Sequence, residues 1–139
     1  MKVVYKKEKE IVLVFKKGDD YNVELKSFLE KENINSAFFY GIGAFLDAEI
    51  AYYNLDSNEY ENKKIKGPLE VASLMGNISQ MDDELIIHNH VVLGDRDFKT
   101  YSGHLVNGVV AGTLEIKLTV LDNELKRLKD EETGLNLIS

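Results

Sequence analysis

Three histidines, the only ones in the chain, lie within seventeen residues of one another: His88, His90 and His104, in the segment IIHNHVVLGDRDFKTYSGHL. Neutral imidazoles are ligands for zinc, and equally for nickel, copper or iron. On a strand, residues two apart share a face. Ile86, His88, His90 and Val92 therefore point one way, and Ile87, Asn89, Val91 and Leu93 the other. The stretch from Gly94 to Thr100 reads as a hairpin loop returning through Tyr101–Leu105. A hairpin centred on Asp97 sets His90 opposite His104 and His88 opposite Val106, with Cβ atoms of facing residues ~4.5–5.5 Å apart. A slip of one residue would send His104 to the far face. In that register the three rings reach one divalent ion.

Three histidine ligands leave one tetrahedral position for water, a carboxylate or a small-molecule ligand. Glu70 and Asp95 are candidates for that fourth group, and Asn89 or Asn107 for hydrogen bonds behind the ligands. An open site of this kind lowers the pKa of bound water toward ~7. A metal-dependent enzyme acting on a small anionic substrate is thus an alternative to a binding or regulatory module. The spacing is not that of a zinc finger, a zincin or a deaminase. A cupin-like dioxygenase would need a glutamate three or four positions past His90, where Leu93 and Gly94 stand. Taken singly, each histidine is an ordinary strand residue; the case for a metal rests on the three together.

Other constellations carry less. Tyr40, Tyr52, Tyr53, Tyr60 and Tyr101 read as packing on half-buried strands rather than as an aromatic binding surface. Asp82-Asp83-Glu84 reads as a solvated turn. Gly41-Ile42-Gly43 lacks the third glycine and following helix of a dinucleotide site, and Ser36, Ser73 and Ser102 lack a nucleophile elbow. There is no cysteine, so thiolate chemistry and disulfides are excluded. A net charge of −7, with only Arg96 and Arg127 as arginines, argues against unaided DNA binding, since phosphate contacts supply most of that affinity. No apolar run approaches the ~18 residues of a membrane span, and the charged MKVVYKKEKE start does not read as a secretory signal. A cytoplasmic protein is expected.

The elements that must position the histidines follow from the pattern. KVVYK (2–6) and EIVLVF (10–15) are strands, and Asp19 or Asp20 caps a helix over Tyr21–Lys31 whose inner face carries Val23, Leu25, Phe28 and Leu29. Ser36–Ile42, Ala44–Tyr53, Tyr60–Lys66, Leu69–Ile78, Glu84–Leu93, Tyr101–Leu105 and Val110–Leu121 read as separate strands, with Gly41 and Gly43 marking a bulge or close backbone approach and Gly67-Pro68 a break. The tail from Glu124 is ambiguous, with LNLI as a last strand. One domain over 1–139 is expected, of α+β class, its curled antiparallel β-sheet barrel- or sandwich-like and packed on one principal helix.

With these residues in hand, the chain resembles the PPC (plants-and-prokaryotes-conserved) domain family. The features that carry the resemblance are Gly41-Ile42-Gly43-Ala44, Gly67-Pro68-Leu69-Glu70-Val71, His88-Asn89-His90, Ser102-Gly103-His104-Leu105 and Glu132-Thr133-Gly134-Leu135, in that order over nearly the whole chain. The resemblance implies an antiparallel sheet, a homotrimer and a metal such as zinc held by His88, His90 and His104. Plant versions accompany an Arg-Gly-Arg-Pro minor-groove motif that is absent here. They also carry a Gly-Arg-Phe-Glu-Ile-Leu motif whose arginine is replaced by Pro68. Both departures weaken a DNA-binding role, although prokaryotic members often bear that label.

Overall fold

Strands dominate because β-branched and aromatic residues alternate with polar ones along most of the chain; the structure, a computed structural model, describes residues 1–139. In chain order come β1 (Lys2–Lys7), β2 (Glu10–Lys16), α1 (Tyr21–Lys31), β3 (Ala37–Asn54), β4 (Glu59–Met81), β5 (Glu84–Gly94), β6 (Thr100–Val120), β7 (Arg127–Lys129) and β8 (Asn136–Ile138). The first six strands form one antiparallel sheet in the order β1-β2-β6-β3-β4-β5, and β7 pairs with β8. No helix is long and apolar enough to cross a membrane.

The long strand β6 organises the sheet. One edge pairs with β3 from His104 to Val120. The other edge pairs with β2 from Thr113 to Thr119 and with β5 from Thr100 to His104. Strand β5 thus comes back onto β6, and the sheet curls without becoming a continuous closed barrel.

Helix α1 starts where Asp20 accepts a hydrogen bond from the Val23 amide at 3.1 Å, satisfying a free helix donor. It buries Tyr21, Leu25, Phe28 and Leu29. Val23, expected inside, is 65% exposed: at 3.6 residues per turn it lies on the side of the helix away from Tyr21 and Leu25. The Tyr21 ring meets Phe15 at 5.9 Å and Phe45 at 6.3 Å between centroids. Around them a single cluster of 25 buried residues fills the concave face of the sheet. The opposite, convex face is less covered, and Tyr5, Phe38, Tyr40, Ile42, Met75 and Val92 are exposed there.

Where separate strands were expected, β3, β4 and β6 run on. Between the pairs Gly41–Leu74 and Gly43–Val71, Ala72 and Ser73 face the single residue Ile42. Likewise Gly67 and Pro68 face the single residue Leu46, between Phe45–Leu69 and Asp47–Lys66. Such bulges bend a strand and let the ladder resume. Pro68, lacking an N–H, lies where no ladder bond is required of it. Asp82 and Asp83 form the β4–β5 turn, both with positive φ (49° and 65°), a conformation Asp tolerates.

Candidate metal centre

The hairpin that joins β5 to β6 has the register its sequence implied. His90 pairs with His104, and the ladder runs from there to Gly94–Thr100. It does not extend to His88, which pairs instead with Asn77 of β4. Asp95 fixes the loop. Its carboxylate accepts hydrogen bonds from the Asp97 amide (2.9 Å), the Lys99 amide (3.0 Å) and the Tyr101 hydroxyl (3.0 Å).

On the convex face the three imidazoles converge. One ligating nitrogen from each of His88, His90 and His104 lies within 4.8 Å of the others. Ring centroids are 4.1 Å apart for His90–His104, 5.2 Å for His88–His104 and 5.3 Å for His88–His90. His88 and His104 are half-buried and His90 is exposed. Tyr60 meets His104 edge-on at 5.2 Å and Tyr53 at 4.9 Å, so an aromatic wall adjoins the cluster. Tyr40, Tyr52 and Tyr60, expected to pack, are more than half exposed.

Four residues nominated beside the histidines take other roles. Asp95 serves the hairpin loop. Glu70 pairs with Gly94 at the far end of β5, four residues from His90, and is no part of the cluster. Asn89 points to the concave face, where its side chain accepts from the Tyr21 hydroxyl (2.8 Å) and donates to the Leu105 carbonyl (3.0 Å). Asn107 donates to Asp20 at the start of α1 (2.9 Å).

The group that does reach the histidines is Arg127. The chain returns from β6 alongside the end of β4, where the Gln80 amide donates to the Leu125 carbonyl (2.8 Å). That brings Arg127 over the Asn77–His88 pair. Its Nη2 donates to Asn77 Oδ1 at 2.9 Å and meets His88 Nδ1 at 3.2 Å, while Nε donates to Ser79 Oγ at 2.7 Å. No local pattern in the sequence marks this residue.

Burial, then the nearby charges of Arg127, His104 and His90, pushes His88 down from 6.5 to about 4. Burial and His90 also lower His104. Both rings are therefore in the neutral, ligating form at neutral pH. The unfolded chain takes up a proton at His88 near its ordinary value, while the folded metal-free protein resists until about pH 4. The unfolded state binds more protons across that window, so stability falls as pH falls through it. Urea midpoints of metal-free protein, compared between about pH 7 and about pH 5, are expected to drop more for wild type than for His88→Gln.

A cleft of about 650 Å³ opens beside the histidines, lined by Tyr53, Asn58, Tyr60, Asn62, Arg127 and the Gly134–Leu137 segment among others. The sequence profile of the Plants and Prokaryotes Conserved (PCC) domain matches residues 3–122. No curated protein matches with significance. Among solved structures, the metal-containing protein from Archaeoglobus fulgidus is 34% identical, with a TM-score of 0.87 over 100% of this chain and 99% of that one. The plant- and prokaryote-conserved (PPC) protein of Pyrococcus horikoshii is 32% identical, with a TM-score of 0.86 over 95% and 92%. A protein of Bacteroides thetaiotaomicron, named provisionally for DNA binding, is 25% identical, with a TM-score of 0.92 over 99% and 96%.

Proposed function

The chain belongs to the Plants and Prokaryotes Conserved (PCC) domain family, and from that premise we propose a metal-binding protein of binding or regulatory type in which His88, His90 and His104 hold a divalent transition metal such as zinc. The observation that carries this reading is the approach of three imidazole nitrogens to within 4.8 Å of one another. Zinc–nitrogen bonds of ~2.0–2.1 Å put two ligands of a tetrahedral ion roughly 3.4 Å apart, so small side-chain rotations close the site. The Archaeoglobus relative's description as metal-containing supports the same reading. A homotrimer suits the exposed apolar side chains Phe38, Tyr40, Ile42, Met75 and Val92, because contiguous apolar surface of this kind marks interfaces.

Protein purified without a histidine tag is expected to carry about one metal ion per chain by elemental analysis, with His88→Ala and His104→Ala near zero. Equal, near-zero metal in all three would sink the reading. Sedimentation equilibrium on the same samples tests the trimer.

A second reading, a metal-dependent enzyme on a small anionic substrate, is favoured by the cleft. It ranks below binding because no carboxylate joins the histidine cluster to act as general base. DNA binding, which the Bacteroides relative's name suggests, is disfavoured by the net charge of −7.

A further inference from the structure

We propose that Arg127 makes the cleft a binding site for a small organic carboxylate, held between the guanidinium and the histidine centre; the proposal rests in part on the metal reading and deepens it. Arg127 is 7% exposed and belongs to none of the protein's ion pairs. Its partners, Ser79, Asn77, His88 and the Asn136 carbonyl, are all uncharged. A buried guanidinium without an acid is uncommon, since buried charges are ordinarily paired. The surroundings do not compensate it. Not one Asp or Glu lines the cleft, although the chain has 24 of them. A pocket with uncancelled positive charge and low-dielectric walls attracts anions.

The hydrogen-bond chemistry of His88 strengthens the assignment. A guanidinium only donates, so at 3.2 Å from Arg127 Nη2 the His88 Nδ1 must accept. A neutral imidazole has a single lone pair in the ring plane for this purpose. An ion bound at Nδ1 takes that lone pair directly. An ion bound at Nε2 moves the proton to Nδ1, which then faces a second donor. In either case His88 stops accepting from Arg127, and an Nη2–H is released at the wall of the cleft. A carboxylate is the fitting acceptor for a charged N–H donor, and Tyr53, Tyr60, Asn58 and Asn62 give the rest of the wall polar edges. Metal loading and anion binding are thereby linked through one nitrogen.

The test is calorimetric titration of malonate and of inorganic phosphate into zinc-loaded and chelator-treated protein, for wild type, Arg127→Gln and Asn58→Asp. Zinc content is measured on each sample. Asn58→Asp places a carboxylate on the cleft wall from an exposed turn, so it keeps the test alive if Arg127→Gln folds poorly. Malonate is expected to bind zinc-loaded wild type, roughly ten-fold or more weakly to Arg127→Gln, and several-fold more weakly to Asn58→Asp and to chelated protein, as for loss of a charge-assisted hydrogen bond. Zinc content should be the same in all three. Malonate affinity indifferent to both substitutions, no malonate binding, or phosphate bound in its place would overturn the proposal. Wild type without zinc would instead sink the metal reading. The anion site would then stand or fall on whether malonate binding to metal-free protein depends on Arg127.

Discussion

Gly43→Ala should destabilise the protein by on the order of 3 kcal/mol, read as a fall in the urea midpoint followed by circular dichroism. A Cβ built at Gly43 would lie 2.3 Å from the Thr113 carbonyl oxygen and 2.6 Å from Leu114 Cα. Both are backbone atoms of β6 in the middle of the sheet, so no flexible side chain can move aside. At Gly41 the equivalent atom would meet the Glu115 carbonyl oxygen at 2.5 Å. These two glycines let β3 cross close to β6 while the bulge opposite Ile42 turns the sheet inward. Relief would require separating the two strands that position His104 against β5. Gly112→Ala is the control: nothing lies within 4 Å of its built Cβ, so the midpoint should move by no more than ~0.5 kcal/mol. Equal midpoints for the two variants would show that the close approach is not structurally required.

The same stretch shows what a linear reading could and could not recover. Strand β2 and helix α1 are bounded by charge, Gly18 and the Asp20 cap, all local signals; the helix has the limits its residues imply and the strand runs one residue further, to Lys16. The β5–β6 hairpin was legible for a like reason: its loop is polar apart from Phe98 and centred on Asp97, and a two-residue period assigns faces without ambiguity. The lengths of β3, β4 and β6 were not legible. Gly41-Ile42-Gly43, Gly67-Pro68 and Val106-Asn107-Gly108 carry the residues of strand ends; the first was readable as a bulge or close backbone approach, but that the ladder resumes beyond all three is revealed only by pairing to a neighbour. The convergence of the histidines followed from the register; their surroundings did not. Asp95 and Asn107 are engaged by nearby backbone and a helix cap, uses that compete for any Asp or Asn. Arg127 reaches His88 from 39 positions away, beyond the residues 3–122 matched by the family profile, so neither spacing nor motif could announce it.

Asn89→Ala is expected to cost about 3 kcal/mol and to weaken metal binding roughly ten-fold, although the side chain touches no imidazole. Asn89 is 4% exposed and Tyr21 is fully buried. Removing the amide strands the Tyr21 hydroxyl and the Leu105 carbonyl in the core, two polar groups at ~1–3 kcal/mol each. The backbone ladder between β5 and β6 ends at His90–His104. From there the Asn89 amide, donating to Leu105 at 3.0 Å, takes over the work of holding the strands together. On the convex face that same junction spaces His88 and His90 from His104. Tyr21→Phe separates the two effects. It deletes the hydroxyl but keeps the Asn89–Leu105 bond, so it should lose on the order of 1 kcal/mol and leave metal affinity near wild type. Chelator competition at a temperature where all variants are folded measures the affinities. Should Asn89→Ala bind metal as tightly as Tyr21→Phe, the inner-face amide does not set the geometry of the outer-face ligands.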